Sequence, residues 1–419
     1  MTAEVQGQQD ALAGVPWLIS VDDHVTEPPD LWTSRLPAKY AARAPQVRRD
    51  WIKPSPDARD VINIIGDKTG RIGDYWIFDG KQLRGGILSP ITHAIGFEEK
   101  KMGNIALTYD EVHPGCWQQD ARLAHMTQNH VEASLCFPNI VPGFCGQTFL
   151  RHDDHALGLA CLQAYNDWMI DDWCAGAGKG RLIPLILIPL WDPVLAAAEV
   201  RRCAANAPCI SVSFCENPHE LGLPSIYTGL WDPFFAACNE TGTTISMHIG
   251  SSGKIPTTSP DAPYMMTSIL MFIDSMTSTL DYLLGGVFMR FPNLKIAYSE
   301  GQIGWLPYAI RRADKVWHAK DKEGAGYQRT PNPPSSYVAG HVYGCIFDDD
   351  TALICRDLIG MGQIMMEVDY PHSACAFPNV LQVATELADT AKLNAEERHM
   401  FFRSNAIDAY GLERMGLVK

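Results

Sequence analysis

The chain has 419 residues, of which 46% are hydrophobic and 20% are charged, and its formal net charge is −14. This balance is typical of a folded globular protein. The excess of negative charge, without any run of lysine and arginine, argues against binding to nucleic acid or to an anionic membrane surface. No apolar stretch reaches the roughly 18 residues that a membrane-spanning helix needs.

The first residues and the cysteines bear on location. Residues 1–15 are polar and lack the apolar core of a secretory signal, so we interpret them as a loosely attached N-terminal arm. The twelve cysteines are scattered and form no C-x-x-C pair, which argues against a structural zinc site. Both features predict reduced thiols in a cytoplasmic protein.

The first predicted strand covers residues 17–24 and ends in Asp22-Asp23-His24. A long segment rich in proline and glycine follows at residues 25–115, and its aromatic stretch at 73–80 predicts a hairpin. Segments of this length usually carry function or cover a site. We therefore expect a cap-like insertion within a single domain that spans residues 16–419, where Tyr75, Trp76 and Arg84 are candidates to shape the pocket.

Helices and strands alternate after the insertion. Strands are predicted at residues 131–137, 182–189, 210–214, 243–248, 294–300, 344–347 and 364–369. Helices are predicted at residues 117–129, 154–175, 193–205, 233–241, 268–288, 304–322 and 350–358, with two more beginning at residues 380 and 395. Together with the first strand, this gives eight strand–helix repeats. The pattern predicts an α/β fold built as a distorted (β/α)8 TIM barrel with a long insertion after the first strand.

Metal-binding side chains end several of these strands. A barrel brings the carboxyl ends of its strands together on one rim, so ligands that are distant in the sequence can meet there. Side chains alternate along a strand, which places Asp22 and His24 on one face and turns Asp23 away. His248 ends a strand and precedes a flexible polar loop. We expect Asp22, His24 and His248 to bind metal.

Two acids end apolar strands, Glu300 and Asp369. A buried carboxylate needs a cation or takes up a proton. A metal would serve Glu300, and Arg311 or Arg312 on the next helix is the alternative partner.

Two residues just beyond strand ends complete the candidate site. His372 follows Asp369 by three residues and either binds metal directly or supports a ligand through a hydrogen bond. Glu27 lies in the loop after the first strand, where it either binds metal or caps the loop. No G-x-S-x-G, Walker or G-x-G-x-x-G motif points to another chemistry.

These segments resemble the amidohydrolase-related family, in the branch that contains aminocarboxymuconate-semialdehyde decarboxylase. The resemblance rests on ISVDDH with EPPDLW, MHIG, SEGQIGWLP and VDYPHS, and runs from about residue 17 to the C-terminus. It implies a distorted barrel with one divalent metal, bound here by Asp22, His24, His248 and Asp369. The sequence departs from the decarboxylases at Glu300, where they carry a catalytic histidine.

The number of ligands on the rim favours a second metal. Four carboxylates and three imidazoles exceed the needs of one ion, and clustered acids repel each other without enough cations. Carboxylate-rich mixed sites suit iron and manganese. A smaller branch of the family is similar in this respect, the dinuclear oxygenases such as 2-aminoisobutyrate hydroxylase. The residues concerned are Asp22, His24, Glu27, His248, Glu300, Asp369 and His372.

The resemblance therefore favours a dinuclear non-haem Fe/Fe or Mn/Fe monooxygenase that hydroxylates a small carboxylated or amino-acid-like substrate. Glu300, His372 and Asp369 would carry the chemistry. A separate reductase would supply electrons, because the sequence contains no flavin or iron–sulfur motif, and a homo- or hetero-oligomer with a related barrel subunit is expected. The alternative is a mononuclear Zn or Mn hydrolase or non-oxidative decarboxylase, in which Glu300 acts as general base.

Overall fold

Nine parallel strands lie around the centre of the molecule, and two of them, Leu182–Ile183 and Leu185–Ile186, share the position of one predicted strand. The computed structural model describes residues 15–53, 63–93, 105–254, 256–319 and 329–419, so nearly all of the predicted N-terminal arm lies outside the described residues. Three strands pair in the order β1 (Leu18–Val25), β6 (Val131–Pro138) and β7 (Leu182–Ile183). Six more pair from β8 (Leu185–Ile186) through β9 (Ser211–Phe214), β10 (Thr244–His248), β11 (Ile296–Ser299) and β12 (Val342–Ile346) to β13 (Ile364–Met366).

The two ends of this parallel arrangement meet at the candidate site. The Asp369 N–H donates to the Asp22 carbonyl at 2.8 Å, and the Val368 N–H donates to Ser20 Oγ at 3.0 Å. All eight residues of β1 are buried, as expected for a parallel strand covered on both faces. The predicted strand at 182–189 is instead two short strands, because Pro184 lacks the N–H that would continue the ladder.

Helices follow the parallel strands on the outside of the sheet. The α-helices of the described residues are α1 (Leu31–Arg35), α2 (Gln119–Gln128), α3 (Gln147–Leu150), α4 (His155–Trp168), α5 (Pro193–Ala204), α6 (Asp232–Thr241), α7 (Tyr264–Leu270), α8 (Ile273–Leu284), α9 (Val287–Arg290), α10 (Leu306–Ala319), α11 (Asp350–Ile354), α12 (Arg356–Ile359), α13 (Val380–Thr390), α14 (Ala395–His399) and α15 (Asn405–Tyr410). Within the described ranges, no helix combines the length and the apolar character that crossing a membrane requires.

Two predicted helices have different bounds in the structure. The helix predicted at 268–288 is three helices, α7 to α9, and Gly286 at φ +69° separates the last two. A residue with a side chain would be strained in that left-handed conformation. The helix predicted at 350–358 is likewise split into α11 and α12 at Cys355. The end of the helix predicted at 304–322 falls partly outside the described residues.

The insertion after β1 is more regular than the sequence analysis predicted. It contains an antiparallel sheet of four strands, β2 (Gln46–Lys53), β3 (Ile64–Ile65), β4 (Arg71–Phe78) and β5 (Lys81–Ile87), in the order β3-β2-β4-β5. The predicted hairpin exists, but it is formed by β4 and β5 and turns at Asp79-Gly80.

Buried polar contacts attach this sheet to the barrel. The Asp74 carboxylate accepts two hydrogen bonds from Arg49, at 2.7 and 2.8 Å, and one from the Tyr109 N–H at 2.8 Å. The Tyr109 hydroxyl in turn donates to the Glu27 carbonyl at 2.8 Å. The insertion is therefore joined to the loop that follows β1, directly beside the predicted metal ligands.

Helix α5 offers a simple test of local stability. Its N-cap residue Asp192 accepts hydrogen bonds from the Val194 and Leu195 N–H groups at 2.9 and 3.0 Å. We expect Asp192→Ala to lower the free energy of unfolding by about 1 kcal/mol, because it leaves these two donors without a partner. Urea denaturation measures the change, and Asp171→Ala at an exposed site serves as the control. Equal midpoints for the two variants would contradict the capping role.

Candidate metal centre

Two overlapping groups of side chains form the candidate centre at the carboxyl ends of β1 and β10 and in the segment after β13. The first group is Asp22, His24 and His248, and the second is His24, Asp369 and His372. In each group, one potential ligand atom per residue lies within 4.8 Å of the others. The structure thus brings together five of the seven residues that the sequence predicted as metal ligands.

The first group is defined by short distances between ligand atoms. Asp22 Oδ1 lies 3.8 Å from His24 Nε2, and Asp22 Oδ2 lies 3.6 Å from His248 Nε2. His248 Nδ1 faces the Ile249 carbonyl at 2.8 Å, so its N–H donates there and the Nε2 lone pair is left for a metal. Glu300 Oε2 lies 3.9 Å from the same Nε2 atom.

Several of these buried atoms have no hydrogen-bond partner within the described part of the chain. They are both carboxylate oxygens of Asp22, Oδ2 of Asp369, both ring nitrogens of His24, and Nε2 of His248. Buried polar atoms are rarely left unpaired, because each costs about 1–3 kcal/mol. A divalent cation would satisfy oxygen and imidazole ligands together, so this donor set fits one.

The rings of His24 and His248 are in the form that a metal needs. Burial, and then the neighbouring His372, lower the pKa of His24 to about 3. Burial lowers the pKa of His248 to about 4. Both rings are therefore neutral near pH 7 and keep a lone pair available for a metal.

The acids of the site repel one another. Burial raises the pKa of Asp22, and the charges of Glu367 and Glu300 raise it further. The pKa values of Glu300 and Glu367 are raised in the same way, by burial and by nearby carboxylates. Burial opposes ionisation of Asp369, but the imidazoles of His372 and His24 outweigh it and lower the pKa of that carboxyl. A bound cation would relieve this repulsion.

A neighbouring amide fixes the tautomer of His372. The Asn139 side-chain N–H2 donates to Thr26 Oγ1 and to the Thr92 carbonyl, at 3.1 and 2.9 Å. Its oxygen therefore faces His372 Nε2, at 3.1 Å, and accepts the ring N–H. His372 Nδ1 is left 2.9 Å from Asp369 Oδ1, where it either carries a second proton or binds metal beside that carboxylate. Asn139 was missed in the sequence, although it follows the end of β6 as the candidate metal ligands follow other strands.

Glu27 is buried but lies in neither group. Its carboxylate accepts backbone N–H bonds from Asn139, Ile140 and Val141, between 3.1 and 3.4 Å. Burial raises the pKa of Glu27 to about 7, and these hydrogen bonds oppose the rise. The observed contacts thus match the alternative in which Glu27 holds the loop.

A buried arginine supports the centre from behind. Arg122 donates to the Gly115 carbonyl at 2.8 Å and to the His24 carbonyl, and its guanidinium lies over the Tyr370 ring at 4.5 Å. Asp23 accepts from the Tyr370 N–H at 2.9 Å and from the Ser134 hydroxyl. Asp23 thus points away from the candidate metal ligands, as the strand alternation predicts. No motif in the sequence marks Arg122 for this role.

The backbone is strained at two residues of the site. Glu300 has φ +52° and Asp369 has φ +60°, a left-handed conformation that non-glycine residues seldom adopt. The Glu300 N–H donates to Glu367 Oε2 at 2.9 Å, and the Asp369 N–H donates to β1 as described above. Such strain concentrates at functional sites, where the surrounding structure maintains it.

Comparison with known proteins identifies the family. A family model described as Amidohydrolase, Amidohydro_2, matches residues 92–412, which is most of the chain. The chain belongs to the amidohydrolase family. A curated relative is the 2-amino-3-carboxymuconate-6-semialdehyde decarboxylase of Dictyostelium discoideum, which is 25% identical over 310 residues, or 73% of this chain and 80% of the relative.

Solved structures have the same fold. An amidohydrolase from Mycobacterium avium subsp. paratuberculosis superposes with a TM-score of 0.65 at 20% identity, over 94% of this chain and 99% of the other. The 5-carboxyvanillate decarboxylase of Novosphingobium aromaticivorans was solved with manganese and 4-hydroxy-3-methoxy-5-nitrobenzoic acid. It superposes with a TM-score of 0.52 at 21% identity, over 71% of this chain and 79% of the other.

The predicted family and the predicted TIM-type barrel are thus confirmed, and the chain is a metal-dependent enzyme of the amidohydrolase-related type. The preference for dioxygen chemistry and iron gains no support from these relatives, two of which are decarboxylases. The alternative prediction, a mononuclear hydrolase or non-oxidative decarboxylase, agrees better with these relatives.

The support from Arg122 can be tested by its removal. We expect Arg122→Met to lower the free energy of unfolding by about 3 kcal/mol, because two buried carbonyls lose their donor and the charge that lowers the pKa of buried Asp23 is removed. Urea denaturation of the metal-free protein measures the loss. Arg312→Met, on the exposed face of α10, is the matched control. A cost for Arg122→Met no larger than that of the control would contradict this role.

Proposed function

We propose that this chain is a non-oxidative decarboxylase that acts on a small carboxylated substrate with one divalent cation. The observation that carries the proposal is the convergence of unpaired, buried ligand atoms from Asp22, His24, His248 and Asp369. The decarboxylases among its relatives support the reaction type, and manganese in one of them supports the kind of cation.

The cation and three side chains would have separate roles in decarboxylation. When bound, the cation would polarise a substrate oxygen and so stabilise negative charge. Decarboxylation breaks a C–COO⁻ bond, releases CO₂ and leaves an electron pair that takes up one proton. Glu300 is the group we assign to deliver that proton from Oε2, which lies 3.9 Å from His248 Nε2. Asp369 and His372, 2.9 Å apart, would orient the reacting group.

A second candidate is the dinuclear oxygenase. The group of His24, Asp369 and His372 favours it, because the tautomer set by Asn139 leaves His372 Nδ1 free to bind a second ion beside Asp369. Glu300 would then be a ligand, iron or manganese with iron would fill the centre, and a reductase and a related barrel subunit would be partners. The number of metals per chain separates this candidate from the first.

The metal assignment is tested on protein purified with added manganese. We expect about one Mn²⁺ per chain in the wild type, and we expect Asp22→Asn to weaken Mn²⁺ binding by at least roughly tenfold because a charged ligand is lost. Elemental analysis and electron paramagnetic resonance titration measure both quantities. Asp153→Asn, at an exposed site, should bind like the wild type. Full manganese in Asp22→Asn would rule the ligand set out, and two metals per chain would favour the second candidate.

The role of Glu300 is tested by CO₂ release without oxygen. Suitable substrates are 5-carboxyvanillate, 2,6-dihydroxybenzoate and 2-amino-3-carboxymuconate-6-semialdehyde, which relatives decarboxylate according to their names. We expect Glu300→Gln to keep one metal per chain and to slow turnover by roughly 10²- to 10⁴-fold, since the proton donor is lost. Glu396→Gln, at an exposed site, is the control. Halved metal content in Glu300→Gln, or turnover only in the presence of oxygen, would overturn the proposal.

A further inference from the structure

A short segment of the insertion, residues 89–93, docks against the candidate metal centre. The Ile91 carbonyl accepts the Ser373 N–H at 2.9 Å, and the Thr92 carbonyl accepts the Asn139 amide at 2.9 Å. Asn139 and Ser373 are, respectively, the hydrogen-bond partner and the chain neighbour of His372. The next residue of the segment, His93, is thereby held beside the site by contacts on the two residues before it.

The ring of His93 is held at one nitrogen only. Nδ1 lies 2.9 Å from Thr92 Oγ1, 3.2 Å from the Ser89 carbonyl and 3.4 Å from the Ser89 N–H. The residue is 1% exposed, and its Nε2 has no hydrogen-bond partner within the described ranges. Leaving such an atom unpaired costs about 1–3 kcal/mol, so a ligand that pairs with it is favoured.

The surroundings of His93 indicate what that ligand is. Burial lowers the pKa of His93 to about 3, and the charge of His372 lowers it further. The ring of His93 is therefore neutral. A neutral ring suits a hydrogen bond to oxygen. Ser89 offers both a donor and an acceptor to Nδ1, so Nε2 can present either an N–H to a carbonyl or carboxylate, or a lone pair to a hydroxyl.

We infer that His93 is a substrate-contacting residue that the insertion contributes to the centre, and that its Nε2 binds a hydroxyl, carbonyl or carboxylate oxygen of a small acid. The substrate would then lie between ligands held by the barrel strands and a hydrogen-bonding group held by the insertion. This inference rests on the proposed function for the identity of the site, and it adds the group that selects an oxygen substituent.

Two isosteric variants separate contact with the ligand from local structure. In His93→Asn the amide takes the place of Nδ1 and keeps the bond to Ser89, but nothing occupies the Nε2 position. In His93→Gln the amide reaches the Nε2 position. The probe is 4-hydroxy-3-methoxy-5-nitrobenzoic acid with manganese-loaded protein, and calorimetry gives its Kd. His219→Asn, at an exposed site, is the control.

We expect His93→Asn to weaken binding of the probe by roughly tenfold, and His93→Gln to stay within about threefold of the wild type. Manganese content and Tm should match the wild type in both. Equal affinity in wild type and His93→Asn, equal losses in both variants, lost manganese, or no binding by the wild type would each overturn the inference. Failure of the wild type to release CO₂ while His93→Asn alone loses the probe would overturn only the proposed reaction.

Discussion

The burial of acidic side chains that pair with no lysine or arginine among the described residues is the constraint on which the rest of the structure depends. Asp22, Glu367 and Asp369 are at most 1% exposed, and Glu300 is largely enclosed beside them. The pKa values of His24 and His248 are lowered by burial, so these two rings supply lone pairs and no positive charge. A protein gains nothing in stability from such a cluster alone, since like charges in a medium of low dielectric constant repel strongly. The cation of the proposed function would offset this repulsion.

Hydrogen bonds from neighbouring residues hold that cluster of acids in place. Arg122 holds the end of β1 from behind, while Asp23 ties β1 to the backbone of Tyr370. Asn139 sets the orientation of His372 and also holds the insertion. The strained backbone at Glu300 and Asp369 persists because these surrounding contacts define it. A change in any supporting residue would therefore alter ligand geometry without touching a ligand.

Much of the centre could be predicted because its sequence pattern is local. An apolar run that ends in a metal-binding side chain is visible in any parallel strand, and alternation separates Asp22 from Asp23. The four-stranded sheet of the insertion could not be predicted, since its strands mix exposed and buried residues and pair antiparallel across loops. Asn139 and His93 were missed for a similar reason: their importance lies in contacts between segments 47 residues apart, which no local pattern records.

The bond between the Asp369 N–H and the Asp22 carbonyl has a consequence for biosynthesis. Residues that meet there are separated by most of the polypeptide, so a nascent chain cannot assemble the centre until its last parallel strand has left the ribosome. Loading of the proposed cation would then be a late event, and an incomplete chain would expose unneutralised acids. Occupancy of the site by the proposed cation would therefore show that the first and the last parallel strands have already paired.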